Sequence, residues 1–443
     1  MQKIIGPISQ IITLRGLDIR GSITDDKLEI LRDQSILTTN GKISEIGNLD
    51  ELKEKNPSAE IEFVSQNSVA LPGFVDAHTH ICFAGSRASD YALRSQGKSY
   101  LEIAKSGGGI WSSVEKSRAA SIETLADLTA SRAARHLGEG VTTIEVKSGY
   151  GLSVEQELKM LRAIKLAAQK LSVILEPKVR ESQEFKLASS SNANTFKDDG
   201  YNILIPTCLA AHMKPKDFSG SAAEYLDEIV EKLLPIVASE NLAKRVDIFV
   251  EKTAFDENEA RSYLKKVKEL GFEITIHADQ FSVAGSKLAL EFNALSADHL
   301  EVSGDAEISA LARSNVVSVA LPNSSYGLGI YHMTPARKLL DAGAILAIAS
   351  DWNPGSAPMG DLLAGAALFG IYEKLSAAEI FSALTFRAAK ALNLNDRGRI
   401  EKNLLADFQL YATNDFREIL YHQGKMKPFA VYKNGEKNVL QKN

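Results

Sequence analysis

The sequence predicts an α/β protein: a (β/α)8 TIM barrel with a small β sandwich built from both termini. Three observations predict it. From about residue 71 to about 390, apolar strand-like runs alternate with amphipathic helical runs, the pattern of parallel βα units. Residues able to do chemistry recur where those strand-like runs end, as they do on the C-terminal face of a barrel. Both termini instead show short β-like segments broken by turn signals.

The elements follow in order. The first 70 residues contain IITLRG, LEILRDQSILTTNGKISEIG and IEFVS. Within them TNGK predicts a hairpin, because Asn-Gly accepts the positive φ of a tight two-residue turn. From residue 71, VTTIEVKSGYG leads into SVEQELKMLRAIKLAAQK, ILIPTCLAAH into SAAEYLDEIVEKLLPIVASENL, and RVDIFVE into NEARSYLKKVKELG. EITIHADQ, ALSADHLE, VVSVALP and AILAIASDWNPG continue the series. The tail returns to short strands in GRIEKNLLADFQLYA and KPFAVYKNGE. The barrel is expected over 71–390, and the sandwich over 1–70 and 391–443. Residues 178–200, polar and rich in Ser and Asn, read as an inserted loop or a lid.

Composition narrows the class. A chain of 443 residues can bury a large core. It has 51 Lys+Arg against 56 Asp+Glu, a net −5, with no basic surplus for nucleic acid. Cys82 and Cys208 are too few for a disulfide framework and suit a reducing compartment. No apolar run is long enough to span a bilayer. The segment MQKIIGPISQIITL lacks a small-residue cleavage site. A cytoplasmic location is therefore expected, with a small-molecule substrate and neither nucleic acid nor membrane as partner. A homodimer is left open.

The chemistry begins at LPGFVDAHTH, residues 71–80. On a strand, residues i and i+2 face one side, so His78 and His80 form a seat for a divalent metal. Alone, such a pair is as readily a surface or core pair. Further strand ends carry His212 in LAAH, His277 in ITIHADQ, His299 in SADHLE and Asp351 in AIASDWNPGS. Five of the eight histidines thus fall on strand ends, against a scatter that would favour helices and loops, as for His136 and His422. One such histidine is more often structural; five on an alternating frame point to metal chemistry. Three neutral histidines and a carboxylate leave room for a bound water, whose pKa a metal lowers to about 7. Asp351 or His299 could manage that water's proton. Zinc and iron both suit nitrogen-rich ligation. The residues alone imply a metal-dependent hydrolase acting on a C–N or another polar bond.

DAHTHICFAGSRASDYALRSQGKSYLEIAKSGGGI, TTIEVKSGYGL, IHADQFS, SADHLE and SDWNPGSAP together resemble the imidazolonepropionase family of the amidohydrolase superfamily. The resemblance runs from about residue 70 to about 410, interrupted at 178–200. It implies a distorted (β/α)8 barrel with a sandwich from both termini, and one divalent ion, zinc or iron. It also implies hydrolysis of the ring amide C–N bond of 4-imidazolone-5-propanoate to N-formimino-L-glutamate in histidine degradation, by attack of a metal-bound hydroxide. His78, His80, His277 and Asp351 match the family's metal ligands. Arg87 in GSR matches the group that takes the propionate, a pairing suited to a guanidinium fork. Tyr150 matches a substrate-contacting phenol. His212 and Gln280 match groups that hold the ring and its carbonyl, His212 as a donor to the tetrahedral intermediate. Asn353, Gly355 and Ser356 match a loop that grips the formimino-glutamate skeleton. His299 matches the histidine that orients or deprotonates the bound water.

Departures are informative too. Gln280 stands where some relatives carry Glu, and an amide cannot act as a general base. The proton work therefore falls to His299 and Asp351, with His212 assisting at the reacting carbonyl. LPNSSYGLGIYHMTPAR has small residues where aromatic character is expected. SGGGI, residues 106–110, lacks the Lys-Ser/Thr of a phosphate cradle and reads as a mobile loop near the site. Lys147 could be a carbamylated bridge between two metals, as in dinuclear relatives; its place before SGYG favours a single metal. The rival reading is another cyclic amidohydrolase or a nucleobase-type deaminase. Arg87 and Tyr150 discriminate, since a nucleobase has no propionate to clamp. A binding protein on a degenerate barrel would have no reason to keep every ligand-type residue.

Overall fold

The computed structural model describes residues 2–64, 66–98, 102–103, 107–175 and 203–438. The insertion expected at 178–200, with its reading as a lid, lies outside the described residues. Five strands come first: β1 (Gln2–Ile12), β2 (Ile30–Thr39), β3 (Lys42–Gly47), β4 (Glu60–Phe63) and β5 (Val69–Pro72). Asn40 and Gly41, at φ 51° and 80°, make the turn between β2 and β3 that TNGK predicts.

Eight strands then alternate with helices: β6 (Phe74–Asp76), β7 (Val141–Lys147), β8 (Leu204–Ala211), β9 (Arg245–Phe249), β10 (Glu273–Ala278), β11 (Ser296–His299), β12 (Val317–Ala320) and β13 (Ile345–Ile348). They pair in that order and all in parallel. The helices start where short polar side chains can satisfy the first free N–H groups. Ser221 with Glu224, Asp256 with Glu259 and Ser376 with Glu379 form reciprocal capping boxes. Apolar side chains such as Leu137, Leu161, Ile164, Leu204, Ile248 and Leu264 fill the layer between strands and helices.

The barrel closes just beyond its first and last strands. Asp351 N–H donates to His78 O at 3.0 Å, and His80 N–H donates to Trp352 O at 2.9 Å. Thr79 and Trp352 form a parallel bridge there. Trp352 is wedged beneath Arg135, whose guanidinium carbon lies 3.7 Å over its ring, and against the edge of His136. His136 in turn lies 3.1 Å from the buried Asp76 carboxylate, which accepts Ser350 N–H at 2.9 Å. The closing seam therefore carries the chemical residues of both flanking strands.

The tail adds β14 (Phe408–Tyr411), β15 (Ala430–Lys433) and β16 (Glu436–Lys437). They join the N-terminal strands in one eight-stranded sheet, β16-β15-β14-β5-β1-β2-β3, with β4 also paired to β1. This sheet has its own core of Ile5, Ile36, Ile43, Leu410 and the stacked rings of Phe408 and Tyr432, 4.4 Å between centroids. β5 joins the first half of the sheet to the tail and passes directly into β6 of the barrel. Gly73 is the joint: a Cβ there would lie 2.3 Å from Thr142 Oγ1.

Candidate active site

His78 and His80 leave β6 with both rings on one side, as the alternation predicts. His277, near the end of β10, meets them. One ring nitrogen from each lies within 4.8 Å of the others. His78 Nε2 is 3.2 Å and His277 Nε2 3.3 Å from His80 Nε2. Asp351 Oδ1 lies 3.6 Å from His78 Nε2 and 3.4 Å from His80 Nε2. Two tetrahedral metal–nitrogen bonds of about 2.0–2.1 Å put their nitrogens about 3.3–3.4 Å apart, so this spacing fits one ion. Burial, and then the neighbouring charge of Lys147, hold His78 well below its ordinary pKa. Burial and the other histidines do the same for His80, and burial takes His277 down to about 3. All three are neutral imidazoles, the form that ligates.

Buried acidic side chains stand behind two of the three imidazoles. His78 Nδ1–H donates to Asp298 at 2.7 Å, and His277 Nδ1 lies 2.9 Å from Asp247 Oδ2. Lys147 ends β7 with its ammonium 2.8 Å from Asp247, 3.0 Å from Glu145 and 4.0 Å from Asp298. Burial opposes this ammonium, but Asp247, Glu145 and Asp298 outweigh it and raise the pKa of Lys147. Burial also opposes charge on Asp247, where His277 and Lys147 outweigh it and hold the carboxyl low. At Asp298, farther from the ammonium, burial wins and pushes the carboxyl up to about 7.

His299 and Asp351 sit where strand geometry breaks. Both are non-glycine residues at positive φ, 88° and 48°, a conformation that costs about 1–3 kcal/mol and marks places where surroundings fix a side chain. The Thr334 hydroxyl donates to His299 O, and Leu300 N–H donates to Ala278 O. His299 Nδ1 lies 3.1 Å from Glu301 Oε1, with its ring 5.4 Å from His277 and 5.8 Å from His78. Burial lowers the pKa of His299, but Glu301, Asp351 and Asp298 outweigh it and leave it raised. Burial pushes Asp351 up to about 6, against the charge of His299.

His212, just after β8, stacks on His80 with 5.5 Å between centroids. Its Nδ1–H donates to Gly149 O at 3.0 Å, and burial holds it neutral. That tautomer makes Nε2 a lone-pair acceptor, so His212 is placed to receive an N–H rather than to donate to an oxyanion as the resemblance implied. Tyr150 packs beside it, 5.7 Å from the His212 ring and 6.1 Å from His80. The turn that carries Tyr150 is fixed by Glu157, whose carboxylate accepts N–H from Gly149, Gly151 and Leu152 at 3.0, 2.7 and 2.8 Å. Gln280 is buried, and the next two N–H groups, of Phe281 and Ser282, donate to Glu251.

Arg87 is buried and donates Nε–H to Asp90 at 2.7 Å. Asp90 also accepts Gly109 N–H at 2.9 Å, so among its described residues the glycine run is latched to the same carboxylate. Beyond Asp351, Asn353 Oδ1 accepts N–H from Gly355 and Ser356, and its Nδ2 donates to Asp351 O and Ser356 Oγ. The Asn353 amide thus shapes its own loop. A Cβ at Gly355 would lie 2.2 Å from Arg87 Nη1, so the glycine leaves the guanidinium end its present position.

The structure gathers His78, His80, His212, His277, His299, Tyr150 and Asp351 at one end of the barrel and sets Arg87 beside Gly355; Gln280 lies two residues past the end of β10. Sequence reasoning missed Asp247, Asp298, Glu145, Glu301, Asp90 and Glu157. A signal existed for two of them. Asp247 interrupts the apolar RVDIF, and Glu145 shares a face with Lys147 in IEVK; charges inside buried parallel strands need partners.

Residues 69–437 match the model of the Amidohydrolase family. An imidazolonepropionase of Bdellovibrio bacteriovorus is 37% identical over 97% of this chain and 95% of that protein. The imidazolonepropionase of Deinococcus radiodurans is 38% identical over 96% of each. Among solved structures, an adenosine deaminase from Xanthomonas campestris with bound zinc has a TM-score of 0.67 at 17% identity, covering 99% of this chain and 93% of that one. A guanine deaminase from C. acetobutylicum with bound guanine has a TM-score of 0.63 at 16% identity, covering 99% and 100%. These two likenesses describe the fold.

Proposed function

The chain belongs to the amidohydrolase family and, within it, to the imidazolonepropionases, and we propose how its residues open the ring of 4-imidazolone-5-propanoate to N-formimino-L-glutamate. It is a hydrolase acting on a cyclic amide. The observation that carries the assignment of roles is the meeting of three neutral imidazoles and Asp351 at one end of the barrel. One divalent ion, zinc or iron, held by His78, His80, His277 and Asp351, would supply a water acidic enough to attack the ring carbonyl at neutral pH. His299, with Nδ1 held 3.1 Å from Glu301, would take up a proton at Nε2, together with Asp351. His212 Nε2 accepts a ring N–H, and Tyr150 and Gln280 complete the walls that orient the ring. Arg87 clamps the propionate with its terminal amino groups, beside Gly355 and Ser356. A nucleobase offers this clamp no carboxylate, which disfavours a deaminase reading. A cytoplasmic place in histidine degradation belongs to the same proposal; among the described residues no helix is long and apolar enough to cross a membrane.

The test is a spectrophotometric assay with freshly generated imidazolone propionate. We expect turnover that a chelator abolishes and that zinc or iron restores, with one ion per chain. A fully metal-loaded protein that leaves the ring intact would end the reading.

A further inference from the structure

We infer that Lys147 is the positioning residue for the whole histidine cluster: its single ammonium fixes all three imidazoles through three buried carboxylates. The inference rests on His78, His80 and His277 as ligands. Each tether is separate. Asp247 Oδ2 lies at ion-pair distance from both Lys147 Nζ, at 2.8 Å, and His277 Nδ1, at 2.9 Å. Asp298 Oδ2 takes His78 Nδ1 at 2.7 Å, with Thr275 Oγ1 at 3.2 Å and the ammonium at 4.0 Å. Glu145 Oε1 takes Lys147 at 3.0 Å, while its Oε2 accepts Thr79 N–H at 3.0 Å. Thr79 also donates its hydroxyl to Glu145 O at 2.5 Å. The third tether therefore grips the peptide between His78 and His80. This bears on His80, whose Nδ1, like that of His277, has no hydrogen-bond partner among the described residues, whereas His277 Nδ1 at least lies 2.9 Å from Asp247. His80 is aimed by its backbone, and its backbone is held through Glu145.

The charges support the same role. Asp247, Glu145 and Asp298 would repel one another if left alone. The ammonium offsets part of that repulsion whether or not an ion is bound. A carbamate at Lys147 would instead add an anion to this group. The side chain is fully enclosed.

The experiment compares the parent with Lys147→Met and Lys147→Arg. The primary readout is the rate at which a chelator strips zinc from each loaded protein. Orienting partners of ligands are typically worth about 10–100-fold in metal affinity, and Lys147→Met should lose metal faster by a factor in that range. On the same samples kcat should fall while KM stays within about 3-fold, because the substrate contacts are intact. Lys147→Arg, which keeps the charge but not the shape, should recover part of the retention. Equal stripping rates in the parent and a folded Lys147→Met would overturn the inference. Should Lys147→Met fail to fold, the parent decides. After equilibration with 13C-bicarbonate we expect no carbamate resonance and one metal per chain; a carbamate with two metals would overturn the inference. A parent inactive on imidazolone propionate, beside a variant that still loses metal faster, would sink the proposed substrate and support the role of Lys147.

Discussion

Arg87 reaches the site with its Nε–H already donated to Asp90, which leaves the ends of the guanidinium for a ligand. Arg87→Met keeps much of the volume and removes the fork. A charge-assisted hydrogen bond contributes about 1.5–3 kcal/mol, so kcat/KM should fall about 10- to 200-fold with metal content unchanged. Equal activity in variant and parent would place the propionate elsewhere. At this scale, legibility followed chemistry. His78, His80, His277, His299 and Asp351 could be read because histidines are scarce and their spacing matches a strand. Asp298 and Asp247 could not be assigned, because their role depends on which ring each meets across the barrel. His212 was found, but its donor direction depends on a single carbonyl, Gly149 O, contributed by another strand's loop.

Secondary structure elements place these groups, and their ends do more than their middles. The turn after β7 shows how. Glu157, on the following helix, holds three N–H groups on either side of Tyr150, and His212 leans on the same turn. Glu157→Ala would leave those donors buried and unmatched. Each unmet donor costs about 1–3 kcal/mol and the turn can relax in part, so a stability loss of about 2–4 kcal/mol is expected from denaturant midpoints. KM should rise as Tyr150 loses its place. A variant with parental midpoint and KM would show that the turn holds itself. The hairpin was legible because it is local: Asn40–Gly41 carries its own geometry. The positive φ of His299 was not, since the contacts around it, such as Thr334 on the His299 carbonyl, come from distant segments.

Across the molecule, the two terminal segments and the barrel share one continuous stretch, Val69 to Asp76. A barrel fragment of about residues 70–390 would lose both neighbours of β5, and with them the anchor of the strand that carries His78 and His80. We expect such a fragment to be insoluble or inactive. Solubility with full activity would mean the terminal sheet is dispensable to the barrel. The class of fold was readable from alternation alone. Which terminal strand would touch the barrel was not, because β5 is only four residues long and its partners come from both ends of the sequence.

That arrangement sets a timetable during synthesis. Gln409 bonds to Pro72 across 337 residues, so β5 meets its tail-side partner only when the chain is nearly finished. At about 5–20 residues per second on the ribosome, that edge stays open for roughly 15–70 s. Pro72 presents no N–H to an intruding strand, which blunts part of the exposed edge. The remaining apolar residues, Val69 to Leu71, stay without their β14 partner until the last strands emerge.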